Sequence, residues 1–169
     1  MKSAILLATL LVVALPAGLA AQNMRKSSGG SDMGTGHTIT RPDAVKWGPS
    51  PPFMPPGSQI AVMLGDPAKK GLFIIRGKMP DGYTIPPHWH STIENVTVLS
   101  GTFNVGMGDK LDKSKGQPLA SGGFFSAPPR MSHFAWATGE TVVEVAGMGP
   151  LDFRYVDPKD DPSTKPKTN

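Results

Sequence analysis

A chain of 169 residues with 17 Lys and Arg, 13 Asp and Glu and no cysteine has room for one domain and not for two. The missing cysteines exclude disulfides, thiolate metal sites and thiol nucleophiles, so any metal must be held by nitrogen and oxygen. The mild positive excess comes partly from Lys159, Lys165 and Lys167 in a Pro- and Asp-punctuated end, with no basic stripe interleaved with aromatics, which argues against nucleic acid as a partner.

Residues 1–20 carry Lys2, an apolar run from Ala4 to Leu15, and small residues ending Gly18-Leu19-Ala20. This is the three-part pattern of a secretory signal peptide, with cleavage expected after Ala20 or Ala21. The apolar run falls short of the roughly 20 residues that span a bilayer, so the mature chain is expected to be periplasmic or secreted, with no membrane span. Residues 21–46 are Ser, Gly and polar residues without periodicity and read as a flexible tether, which includes His37. Residues 47–57 are proline-dense and read as an extended arm, with Trp47 and Phe53 lying across the domain that follows.

From 58 to 156, short apolar runs alternate with turn signals, at 59–64, 72–76, 94–99, 102–107, 123–127, 132–137, 141–145 and 151–155. Strands of this length and spacing predict an all-β domain, a single antiparallel sandwich or barrel with little helix. Ser100-Gly101 joins two runs so closely that 94–99 and 102–107 read as one hairpin. Period-two alternation then puts Glu94, Val96 and Val98 on the inner face, with Phe103, Val105 and Met107 as one set on the next strand. Ala135 and Ala137 share their face with His133, so the interior is mostly apolar; Phe134 and Trp136 face the other way, toward the second sheet or the arm. Residues 157–169 read as a disordered tail, and an exposed sheet edge with a proline arm predicts a homodimer.

The chemistry concentrates in one stretch. On an extended strand His88 and His90 point to the same side, roughly 7 Å apart at two residues' rise, and Glu94 keeps their parity. Of the two histidines outside the stretch, His133 lies in an apolar segment and is the better fourth ligand, whereas His37 lies on the tether. Three imidazoles and a carboxylate suit a divalent transition metal, Fe, Mn or Zn, with Cu and Ni also admissible. Arg76, Arg130 and Tyr83 are nearby in sequence and are candidates for contact with a substrate.

Gly82, His88, His90, Glu94 and Gly101 together fit the first motif of the cupins: glycine, five residues, His-x-His, three residues, glutamate, six residues, glycine. Gly122, Pro128 and His133 fit the second motif, in which Arg130 and Ala137 stand where the family has glycine and asparagine. Residues 58–156 therefore resemble a small single-domain bacterial cupin. The resemblance implies a β-barrel of jelly-roll type that binds a metal and a small molecule. Among activities it implies a dioxygenase or related oxidoreductase, a decarboxylase or an isomerase, with non-catalytic binding or sensing as the alternative.

Overall fold

Runs that alternate apolar and polar residues form strands with one buried face, and the computed structural model, which describes residues 37–164, has nine of them. The signal segment at 1–20, residues 21–36 of the tether and 165–169 of the tail lie outside the described residues. In chain order the strands are β1 Gly48–Pro49, β2 Gln59–Leu64, β3 Gly71–Met79, β4 Thr84–Trp89, β5 Glu94–Met107, β6 Gln117–Ala120, β7 Phe124–Ala127, β8 His133–Gly149 and β9 Arg154–Tyr155. Every pairing is antiparallel. Among the described residues helix is confined to four short 3-10 turns, so the expected all-β class holds. Two of those turns, Pro158–Asp160 and Pro162–Thr164, occupy part of the stretch read as a disordered tail, which corrects that expectation for residues 157–164. Asp157 and Asp161 accept the backbone N–H groups of Lys159 and Ser163, the side-chain capping that starts such turns.

Two long strands carry the fold. β5 and β8 run antiparallel along their whole length, from Glu94 against Gly147 to Met107 against His133. The C-terminal part of β8 also pairs with β3, which pairs with β2 and then β1; its N-terminal part pairs with β4, which pairs with β9. The sheet is therefore continuous but curled, and its inner face encloses a cluster that includes Tyr83, Ile85, Val96, Val98, Phe103 and Val105.

The hairpin expected at Ser100-Gly101 is not formed. The segments 94–99 and 102–107 are the two ends of β5 and do not pair with each other; each pairs with β8, and the register shifts between them. The physical reason is a corner. Gly101 adopts φ 75° and Gly139, on the facing strand, φ 70°, so both strands bend together. Thr141, fully buried, braces the bend: its hydroxyl accepts the Thr102 N–H at 3.2 Å and lies 3.1 Å from the carbonyls of Thr102 and Gly139. Likewise the runs expected at 132–137 and 141–145 fall, from His133 on, in one strand, β8, and not in two.

Beyond the inner face, Phe134 is fully buried with its ring over Gly106, and Trp136 lies on Gly116 with the Lys113 ammonium 5.5 Å from its ring. The 112–116 turn covers Trp136, against which Phe134 stacks, where the sequence suggested a second sheet or the arm. The arm folds back on its own chain. β1 pairs with β2, the Lys78 ammonium sits 4.7 Å from the Trp47 ring, and Tyr155 and Tyr83 donate to the carbonyls of Phe53 and Pro55 at 2.8 and 2.6 Å.

The two corner glycines differ in a way that unfolding can measure. A Cβ at Gly101 would lie 2.3 Å from the Glu140 carbonyl and 2.6 Å from the Thr141 hydroxyl, whereas one at Gly139 would meet nothing within 4 Å. Gly101→Ala is expected to lose about 3 kcal/mol from strain and overpacking together, and Gly139→Ala about 1 kcal/mol from backbone strain alone. Urea denaturation checks the ranking; equal losses would mean that the close approach of the two strands does not matter.

Candidate metal centre

Pairing brings the candidate ligands together before any side chain is considered. His88 on β4 is the cross-strand partner of His133 at the start of β8, and Glu94 opens β5, which flanks β8 on the other side. His90 lies just past β4, and the chain turns through 91–93 to reach Glu94, a tight excursion that keeps the carboxylate on the histidine side. All three imidazoles are buried, with ring centroids 4.2 Å apart for His88 and His133, 5.1 Å for His88 and His90, and 5.5 Å for His90 and His133. One ligand nitrogen from each lies within 4.8 Å of the others.

Which nitrogen faces inward follows from hydrogen bonding. His88 Nδ1 lies 2.8 Å from the Pro86 carbonyl, His90 Nδ1 2.6 Å from that of Asp152 and His133 Nδ1 3.0 Å from that of Met131. A carbonyl only accepts, so each Nδ1 carries the hydrogen and each neutral ring keeps its lone pair on Nε2. His90 Nε2 is buried with no hydrogen-bond partner. Glu94 faces the same point, with its carboxylate 3.2 Å from His133 Nε2 and 3.6 Å from His90 Nε2. Lone pairs do not attract a carboxylate; a cation among them, a proton or a metal ion, satisfies all of them at once. The residues present thus fit a divalent transition ion.

Two groups of contacts hold the rings. The Asp152 carboxylate accepts the backbone N–H of Ser91 at 2.7 Å and its hydroxyl at 2.9 Å, while the Asp152 carbonyl holds His90. Phe153 stacks on His88 at 4.1 Å with the planes 11° apart. The sequence reading missed both residues because 151–155 looked like an ordinary strand; the acceptor side chain one residue before a half-buried aromatic is the only trace of their role.

The cluster lies in the wall of a cavity of about 270 Å³ that is otherwise lined mainly by apolar side chains such as Ile75, Val96, Phe103, Phe125 and Val143. Glu94, Val96 and Phe103 thus face inward as their parity predicts, while Met107 is exposed. The other candidates fall elsewhere. Arg76 lies on the outer face of β3 in an ion pair with Glu144 at 2.9 Å, because its buried neighbours Phe73 and Ile75 take the other parity. Tyr83 is buried with its hydroxyl bound to Ser58 and Pro55, and burial pushes its pKa up, so it anchors the arm as a neutral phenol. Arg130 is exposed and adopts φ 64°, the left-handed conformation for which the family's motif has glycine; its N–H donates to the His90 carbonyl at 2.7 Å. Arg130 contributes backbone to the site and not a charged side chain. His37 is exposed and outside the cluster.

Burial, with the neighbouring charges of His133 and His90 next, holds the His88 pKa well below the ordinary imidazole value. For Glu94, burial is the largest influence and pushes upward, but protons on His133 and His90, by hydrogen bond and by charge, outweigh it, so the carboxyl titrates lower than usual. The signs give separate windows. An unfolded His88 takes a proton below about pH 6.5 that the folded ring resists, so the metal-free protein keeps this stability above that pH and loses it on acidification. Glu94 contributes stability above about pH 4.3, lost as pH falls through its lower folded value. In the metal-free protein the unfolding free energy from urea denaturation is therefore expected to fall between pH 7 and 5.5, by up to about 1.4 kcal/mol per pH unit for one proton, and to fall less steeply in His88→Asn. Equal slopes in both proteins would refute the assignment.

Known folds resemble this one. KdgF from Halomonas sp. is 21% identical with a TM-score of 0.51, covering 66% of this chain and 95% of its own. The polyketide cyclase RemF from Streptomyces resistomycificus is 16% identical with a TM-score of 0.58, covering 75% and 90%. A putative acetylacetone dioxygenase from Methylibium petroleiphilum is 19% identical with a TM-score of 0.58, covering 75% and 85%. No curated protein matches the chain. At these identities the likeness is one of fold. The cupin family profile itself matches residues 67–156, more than half of the chain and the span that holds all four site residues, and the protein therefore belongs to the cupin family.

Proposed function

We propose that this protein is an exported mononuclear metalloenzyme acting on a small, largely apolar molecule that carries an oxygen donor, with oxidoreductase chemistry of the dioxygenase kind favoured. The observation that supports this reading best is the convergence of three imidazole nitrogens within 4.8 Å at the wall of an apolar cavity. His88, His90 and His133 would hold the ion through Nε2, with Glu94 as a fourth ligand. A bound ion of this class supplies Lewis acidity toward an oxygen donor and, where the metal is redox-active, electrons.

The protein's own groups set what is accepted. Three neutral imidazoles and one carboxylate leave a divalent ion with one uncompensated positive charge, so an apolar cavity favours a monoanionic oxygen donor. Phe153 stacked on His88 restricts that ring, and with Phe125 it gives the cavity beside the cluster an apolar wall. Fold neighbours include proteins described as a dioxygenase and a cyclase, and fold by itself does not choose between such chemistries. A second reading, binding without turnover, draws on the cavity lining: its only titratable side chains are the four of the cluster. That leaves no separate acid and base pair for isomerase chemistry.

Protein purified from its native compartment is expected to carry one divalent ion per chain, which elemental analysis measures. His88→Ala, His90→Ala or His133→Ala should each lower metal affinity at least about tenfold, Glu94→Gln should lower it less, and His37→Ala should leave it unchanged. Metal-dependent oxygen consumption with a small oxygen-bearing substrate supports the enzyme; a metal-loaded protein with no turnover supports the binding reading. Wild-type protein without metal near neutral pH would refute both.

We extend the proposal to compartment and assembly. The signal segment predicts material starting at Ala21 or Gln22, and the exposed pair Leu72 and Met148, partners across β3 and β8, offers an outer face for a second copy. Sequencing and sedimentation of exported protein test these points; an intact Met1 refutes export, and a monomer at all concentrations refutes the dimer.

A further inference from the structure

Apart from the exposed Gln59, the cavity is polar in two places: at the histidine cluster, and at the neck of the arm, where Ser50 and Ser58 line the same space. The hydrogens at the neck can be assigned in order. The Pro55 carbonyl only accepts, so the Tyr83 hydroxyl, 2.6 Å away, spends its one proton there. Ser58 Oγ lies 2.8 Å from the Tyr83 oxygen and must then donate to it. With its proton spent, Ser58 can only accept from Ser50, whose Oγ lies 2.7 Å away. The series ends at Ser50, which keeps two lone pairs and no free proton, beside a remaining lone pair on Ser58.

We propose that Ser50 and Ser58 form a subsite that accepts a hydrogen bond from a hydroxyl or N–H group on an otherwise apolar ligand, at a place apart from the metal cluster. The proposal rests on reading the cavity as a small-molecule site. Tyr83, to which Ser58 bonds, lies just before β4, whereas His88 lies near its far end beyond a register shift. The ligand therefore has two polar points separated by an apolar body. A wall with lone pairs only is selective by its sign. An ether or carbonyl oxygen placed there would face lone pairs across a desolvated gap, and an alkyl group would leave the serine oxygens without a partner. Sites built for one hydroxyl discriminate against its absence far better than apolar pockets discriminate by size.

Calorimetric titration of the full mature chain with para-propylphenol and para-propylanisole, which differ in a donor proton, tests this. Metal-free and zinc-loaded protein are both titrated. The phenol is expected to bind about tenfold tighter than the ether in the wild type. The preference should shrink to within about twofold in Ser50→Ala and return in Ser50→Thr, which restores the acceptor and shows that folding is not at issue. Ser114→Ala, in an exposed turn, should keep it. Tyr83→Phe frees the Ser58 proton, so the neck can donate as well as accept, and the ether should gain on the phenol. A phenol preference that survives Ser50→Ala places recognition at the histidines and overturns the proposal, as does an equal or reversed preference in the wild type or failure of both probes to bind. Absent zinc uptake with the preference intact in metal-free protein would refute the metal reading and leave this subsite standing; zinc uptake without the preference would do the reverse.

Discussion

A neutral imidazole that gives its Nδ1–H to a carbonyl has one lone pair left, on Nε2, and the ring plane fixes where that pair points. Pro86, Asp152 and Met131 supply such carbonyls to His88, His90 and His133. Two of the three are local, each two residues before its histidine, so the strand that carries the ligand also orients it. The third comes from 62 residues away and depends on the fold closing correctly. Once the three rings are set, their inner face is electron-rich, and Glu94 makes it more so. The cluster is costly to bury unless a cation completes it, and that demand suits the site to a divalent metal ion.

The rest of the fold serves to hold those strands in register. β8 pairs with β4 through its first residues and with β3 through its last, while β5 follows it from end to end. His133 is thereby placed beside His88 on one side, and Glu94 reaches the same cavity from β5. The corner at Gly101 and Gly139 lets one pair of strands serve both parts of the curled sheet. A hairpin at that point would have ended the pairing with β8 and carried Phe103 and Val105 away from the cavity and core.

Much of this was legible in the sequence, and the parts that were not share a cause. The alternation around Glu94, Val96 and Val98 depends only on local parity and could be read directly, as could the common face of His88 and His90. Whether Ser100-Gly101 turns the chain back or bends it depends on what lies across from it, and Thr141 and Gly139 are about forty residues away. The same limit applies to Arg76 and Arg130. Proximity in sequence suggested a role at the site, but parity sends Arg76 outward to Glu144, and a left-handed backbone uses Arg130 for its N–H. Asp152 and Phe153 escaped notice because a carbonyl acceptor and ring stacking leave no spacing pattern.

The arm links these points to selectivity. Its two tyrosine anchors attach to carbonyls and not to side chains, so they tie down the path of the backbone whatever the residues at Phe53 and Pro55. One anchor, Tyr155, is the cross-strand partner of His88, and the other, Tyr83, heads the serine series. Both hydroxyls therefore hold the arm against the cavity, and that of Tyr83 also sets the hydrogen-bond sense of its second polar end. Because the walls between are apolar, neither end is screened by water or by competing dipoles, and each unpaired donor or acceptor on a ligand keeps its full desolvation cost. Selection in such a cavity follows from the signs at its two ends, a cluster that would hold a cation at one and lone pairs at the other, more than from its size.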